Sequence, residues 1–75
     1  MTIHYSNGEV EAVADFAGVM KSVRQLFPDA VAYQGGFEVT DDDEITSDEP
    51  IYVWQDESSS VNDSGAKAVA KIENL

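Results

Sequence analysis

The dipeptide Asn7-Gly8 sits between short runs of β-forming residues. Both residues tolerate the positive φ angles of a tight type I′ turn, so the segment 2–14 is expected to fold back on itself as a hairpin. A two-residue loop at Asn7-Gly8 sets Ser6 opposite Glu9, Tyr5 opposite Val10, His4 opposite Glu11 and Ile3 opposite Ala12. That register gathers Ile3, Tyr5, Val10 and Ala12 on one face and places His4 beside Glu11 on the other, a favourable cross-strand pair.

The residues that follow change period. Phe16, Val19, Met20, Val23 and Leu26, with Phe27 beside it, fall on one helical stripe, while Lys21, Ser22, Arg24 and Gln25 take the opposite side. Asp15 is the expected N-cap, and Pro28 ends the helix by removing a donor and restricting Phe27. The helix is therefore expected over 15–27.

A second hairpin is expected over 30–40, turned at Gly35-Gly36. A two-residue loop sets Tyr33 opposite Glu38. A three-residue loop, Gln34-Gly35-Gly36, sets Tyr33 opposite Phe37 and Val31 opposite Val39, and is preferred because it collects the apolar residues on one face. Residues 41–50 form an acidic loop closed by Pro50, and Ile51-Tyr52-Val53-Trp54 is a short apolar strand expected at the centre of the sheet. Over 60–73, Val61, Gly65, Ala68, Val69 and Ile72 form a narrow helical stripe, with Ser60 and Asp63 in a capping-box-like spacing. The expected order is ββαβββα: one α+β domain over residues 1–75, an antiparallel sheet of four to five strands with two helices packed on it. A chain of 75 residues without cysteine must hold this fold without disulfides, on a stability of about 3–5 kcal/mol. No segment is apolar enough to span a bilayer, and Met1-Thr2-Ile3-His4-Tyr5 does not resemble a secretory leader. A cytoplasmic monomer is expected.

The charge is asymmetric along the chain. Fifteen acids against four bases give a net charge of -11, and residues 25–66 carry eleven of those acids and no base. The other four acids (Glu9, Glu11, Asp15 and Glu73) balance Lys21, Arg24, Lys67 and Lys71, so the whole excess lies in one block. Phe37, Val39, Ile45, Ile51, Tyr52, Val53 and Trp54 are interleaved with the block and are expected to pin it to the sheet. A surface of this sign repels nucleic acid and anionic membrane and attracts basic proteins. The bland alternative is a solvated acidic face that serves only to keep the chain apart from others.

Other chemistry is poorly supported. From Asp41, an EF-hand would need an oxygen ligand at its fifth position and glycine at its sixth, and the chain has Ile45 and Thr46. Nothing singles out two carboxylates for acid–base work, and His4 is the only histidine. Ser58-Ser59-Ser60 lacks the context of an activated nucleophile, and Gly35-Gly36 lacks that of a phosphate loop. Tyr33, Phe37, Tyr52 and Trp54 could form an interface patch, but so small a domain is expected to use its large side chains in the core. No catalytic residue, metal or cofactor is expected.

In size, charge and texture, with the block from Glu38 to Asp63 and its apolar anchors, the chain resembles the small acidic anti-CRISPR proteins, several of which imitate double-stranded DNA electrostatically. The resemblance extends to inhibitors of the type I-C system. It covers the whole chain but carries no diagnostic motif. It implies a stoichiometric inhibitor that blocks target DNA binding by a type I surveillance complex through a Lys/Arg-lined site on a Cas subunit. The carboxylates expected to meet the basic partner are Glu38, Asp41, Asp42, Asp43, Glu44, Asp48, Glu49, Asp56 and Glu57. An immunity or antitoxin-like protein capping a basic toxin, or an acidic adaptor domain without inhibitory role, would have a similar sequence.

Overall fold

The computed structural model describes residues 1–57 and 68–73. Their order is β1 (Thr2–Tyr5), β2 (Val10–Ala12), α1 (Phe16–Leu26), β3 (Val31–Gln34), β4 (Phe37–Val39), β5 (Ile51–Trp54) and β6 (Ala70–Glu73). All six strands form one antiparallel sheet in the order β2-β1-β6-β5-β3-β4. The fold is α+β, as the sequence implies, but with six strands and, among the described residues, one helix.

The helix starts where expected. Asp15 is the N-cap, and its Oδ1 accepts the Gly18 N–H at 2.8 Å. Phe16, Val19, Met20 and Val23 are buried, and half-buried Phe27 packs against them beyond the last turn. Leu26 departs from the expected stripe and is exposed.

Two registers differ from expectation by one residue. In the first hairpin Ile3 pairs with Glu11 and His4 with Val10. The loop holds three residues because the Gly8 N–H donates to Tyr5 O at 3.0 Å, the Tyr5 N–H donates to Glu9 O at 2.8 Å, and Gly8 absorbs a φ of +94°. Asn7 contributes differently from a type I′ turn: its Oδ1 accepts the Glu9 N–H at 2.9 Å. A shift of one residue exchanges the faces. Val10 and Ala12 therefore leave the core side, Glu11 joins it, and the expected His4–Glu11 pair is not formed. In the second hairpin Tyr33 pairs with Glu38, Gln34 with Phe37 and Ala32 with Val39. Gly35 and Gly36 adopt φ of +60° and +86°, which makes this the two-residue loop rather than the preferred three-residue one.

The last element is a larger correction. Ala70–Glu73, expected as the end of a helix, is a strand paired with both β1 and β5. Its four residues alternate apolar and polar, and the structure uses that period of two: Ala70 and Ile72 are buried while Lys71 is exposed. The earlier part of the expected helix, including Val61, Gly65 and the Ser60–Asp63 cap, lies outside the described residues.

The core lies between the helix and one face of the sheet. Ile3, Ile72 and Ile51 are direct neighbours across β1, β6 and β5, and all are fully buried. The adjacent row runs Tyr5, Ala70, Val53, Ala32, Val39. Glu11 sits at the edge of this face, where its Oε1 accepts the Tyr5 hydroxyl at 3.3 Å and its Oε2 accepts the Ser22 hydroxyl at 3.2 Å. Burial of the Tyr5 ring, reinforced by the charge of Glu11 and the bond to it and by Glu9, raises the Tyr5 pKa above the usual tyrosine value. No described helix is long and apolar enough to cross a membrane.

Candidate partner-binding surfaces

The acidic loop is held at several points. The Asp43 N–H donates to Thr40 O at 3.0 Å, and Asp43 Oδ2 accepts the Thr40 N–H at 2.7 Å and the Thr40 hydroxyl at 3.2 Å. Asp43 thus closes a turn that leaves Asp41 and Asp42 exposed at its corner. Ile45 is half-buried against the core and anchors the middle of the loop. Gln34 Nε2 donates to Ser47 O at 3.3 Å and Glu49 O at 2.8 Å, fixing the returning arm to the second hairpin. A segment of ten residues with no regular structure is thereby tied to the fold through Ile45 and the Gln34 side chain, while Phe37 and Tyr52, expected among its anchors, are exposed.

The carboxylates are divided among several places. Asp41, Asp43 and Glu44 line a shallow depression with Asp15, Phe16 and Met1 beside the first turn of the helix. Asp41 also lies 3.9 Å from Arg24, both groups being about half exposed, so one base of the helix reaches the acidic loop. A pair this exposed is worth at most about 1 kcal/mol. Asp48 and Glu49 are exposed at the other end of the loop. Glu38 projects from β4 on the face opposite the helix, in register with Tyr33. Asp56 and Glu57 follow β5, half-buried and exposed respectively. Asp63 lies outside the described residues.

The face opposite the helix has a different character. One row crosses all six strands: Val10, His4, Lys71, Tyr52, Tyr33, Glu38. His4 Nε2 is shielded from solvent and 3.7 Å from Glu73 Oε2, beyond hydrogen-bond distance. Tyr33, Tyr52 and Trp54 line a second shallow depression together with Gly35, Gly36, Glu49 and Pro50. The expectation that the large aromatics form the core is therefore corrected. Tyr52 is 42% exposed and Phe37 78%, Tyr33 and Trp54 are half-buried, and none of the four belongs to the buried core. The signal was present in β5: its alternation sends Ile51 and Val53 to the helix side and Tyr52 and Trp54 to the other. It was legible only once the helix was known to cover one face.

Among the described residues no group of three or more His, Asp or Glu side chains is arranged to hold a metal ion. No family model matches the chain, and neither characterised protein sequences nor solved structures yield a match.

Proposed function

We propose that this chain is a non-catalytic binding protein that presents fixed negative charge to a basic nucleic-acid-binding site. Within that class, the reading its size and charge favour is a DNA-mimicking inhibitor of the anti-CRISPR kind, blocking target DNA binding by a type I surveillance complex. The observation that carries the proposal is the run of eleven acids without a base over residues 25–66. The anchoring of residues 40–49 through Asp43, Ile45 and Gln34 supports it, because carboxylates on a held loop lose less conformational entropy on binding than those on a free tail. Such a surface steers a cationic partner by long-range attraction, so association is fast at low salt and slows as salt is added.

The test uses the purified chain and purified DNA-binding complexes with Lys/Arg-lined duplex channels. The expected result is a stable assembly that dissociates as salt rises and that duplex DNA displaces. A variant combining Asp41→Asn, Asp42→Asn, Glu44→Gln and Asp48→Asn leaves the Asp43 turn intact and should weaken the assembly roughly tenfold or more. A folded quadruple variant that retains full affinity would overturn the proposal.

A further inference from the structure

We propose that the depression formed by Tyr33, Tyr52 and Trp54 seats one cationic side chain, an arginine by preference, of the basic partner. The inference rests on the reading above and places the anchoring contact on the sheet face opposite the helix, beside the returning arm of the acidic loop.

The site is assembled by register. Tyr33 and Tyr52 are directly paired on β3 and β5, and Trp54 follows two residues along β5 on the same face. These three rings line the depression. The Gly35-Gly36 turn contributes no side chains to the lining, and the Glu49 carboxylate lies against it: a Cβ built on Gly35 would stand 2.9 Å from Glu49 Oε2. Pro50 also lines the depression, and Glu38 stands next to Tyr33 in register on β4. Lys71, the lysine on this face among the described residues, pairs with Tyr52 in register but does not line the depression.

The chemistry selects the occupant. Aromatic faces carry negative quadrupole charge and attract cations, most strongly at tryptophan. A carboxylate in the lining adds a charge-assisted hydrogen bond. A guanidinium fits better than an ammonium, because it is planar, more weakly hydrated, and able to stack on a ring while its edge meets a carboxylate. Nucleobases also stack on tyrosine and tryptophan, but a chain of net charge -11 repels their phosphates. A second copy of the chain is disfavoured by the same charge.

Trp54 is the only tryptophan, so its fluorescence reports on the site directly. The probes are a short arginine peptide, its lysine counterpart, its neutral citrulline counterpart and a thymidine oligonucleotide. The arginine peptide is expected to change Trp54 fluorescence saturably, the lysine peptide more weakly, and the citrulline peptide and oligonucleotide not at all. Tyr52→Leu, which keeps an apolar side chain without a π face, and Glu49→Gln, which leaves the Gln34 clamp untouched, should each weaken the arginine peptide about five- to thirtyfold. The quadruple loop variant should leave this response essentially unchanged. An equal response to arginine and citrulline peptides, or a response to the oligonucleotide, would overturn the inference. So would a basic partner that binds with Trp54 unperturbed and Tyr52→Leu at full affinity, which would leave the proposed function standing. A saturable arginine response with no basic complex bound would uphold the site and overturn that function.

Discussion

Glu11 Oε2 accepts the hydroxyl of Ser22 at 3.2 Å, joining the outermost strand β2 to the middle of the helix. The same carboxylate accepts the Tyr5 hydroxyl through its other oxygen. Tyr5 is therefore held neutral by burial first and by the negative charge of Glu11 next. Its folded pKa is raised, so the folded state keeps its proton where the unfolded chain gives it up. The contribution is fully present below about pH 10 and is lost as pH rises from there through the folded pKa. Tyrosinate absorbance titration of the native chain should show a late component that Tyr5→Phe removes. Glu11→Gln should move it back toward the usual value.

Capping makes a separate prediction. Asp15→Ala leaves the Gly18 N–H without its 2.8 Å partner and should cost about 1 kcal/mol in urea unfolding. Against a total of about 3–5 kcal/mol, that loss would visibly lower the midpoint.

The second turn can be tested by comparing its two glycines. Gly35→Ala and Gly36→Ala both place a Cβ at positive φ, at a cost of about 1–2 kcal/mol each. Only the Gly35 substitution also meets Glu49, at 2.9 Å. Because the obstructing atom ends a flexible side chain, Glu49 should swing aside at little extra cost in stability. Denaturation should then rank the two variants close together, while the Trp54 response to the arginine peptide falls only in Gly35→Ala.

Register in the first hairpin is tested by Val10→Thr. Val10 is 61% exposed, so the change should stay within about 0.5 kcal/mol of the parent. Ile3→Ala, at a fully buried site, should cost about 2–5 kcal/mol, a large share of the chain's stability. If the sequence-preferred register were right, with Val10 facing the core, its replacement would also destabilise clearly.

These cases show what the sequence conveys. The helix, its Asp15 cap and the strand Ile51–Trp54 were legible because each rests on local pattern alone. Both hairpins were legible as hairpins, but their registers were not. Asn7 and Gly8 fit either a two- or a three-residue loop, and the packing of Ile3 in line with Ile72 and Ile51 accompanies the latter. At Gly35-Gly36 the reverse held: grouping apolar residues favoured the longer loop, whereas the two glycines take the positive φ pair of the shorter one. Ala70–Glu73 was misread because four residues satisfy a period of two and a period of 3.6 equally well, and pairing with two neighbouring strands is a long-range fact. The charge block was plain in the sequence. Its division between the helix side, the Gly35 turn and the opposite face was not, because that depends on which way Glu38 and Glu49 project.

The two outermost strands have one feature in common. Each is three residues long with a glutamate at its centre, Val10-Glu11-Ala12 and Phe37-Glu38-Val39. An open sheet with free rims invites growth by addition of further strands, which is the route to fibrils. Here any copy docking rim to rim would bring like carboxylates into the new ladder, on strands too short to repay the repulsion. Among the described residues both margins of the sheet thus carry a guard against propagation, and replacing both glutamates with threonine is expected to speed cross-β aggregation, measured by thioflavin fluorescence.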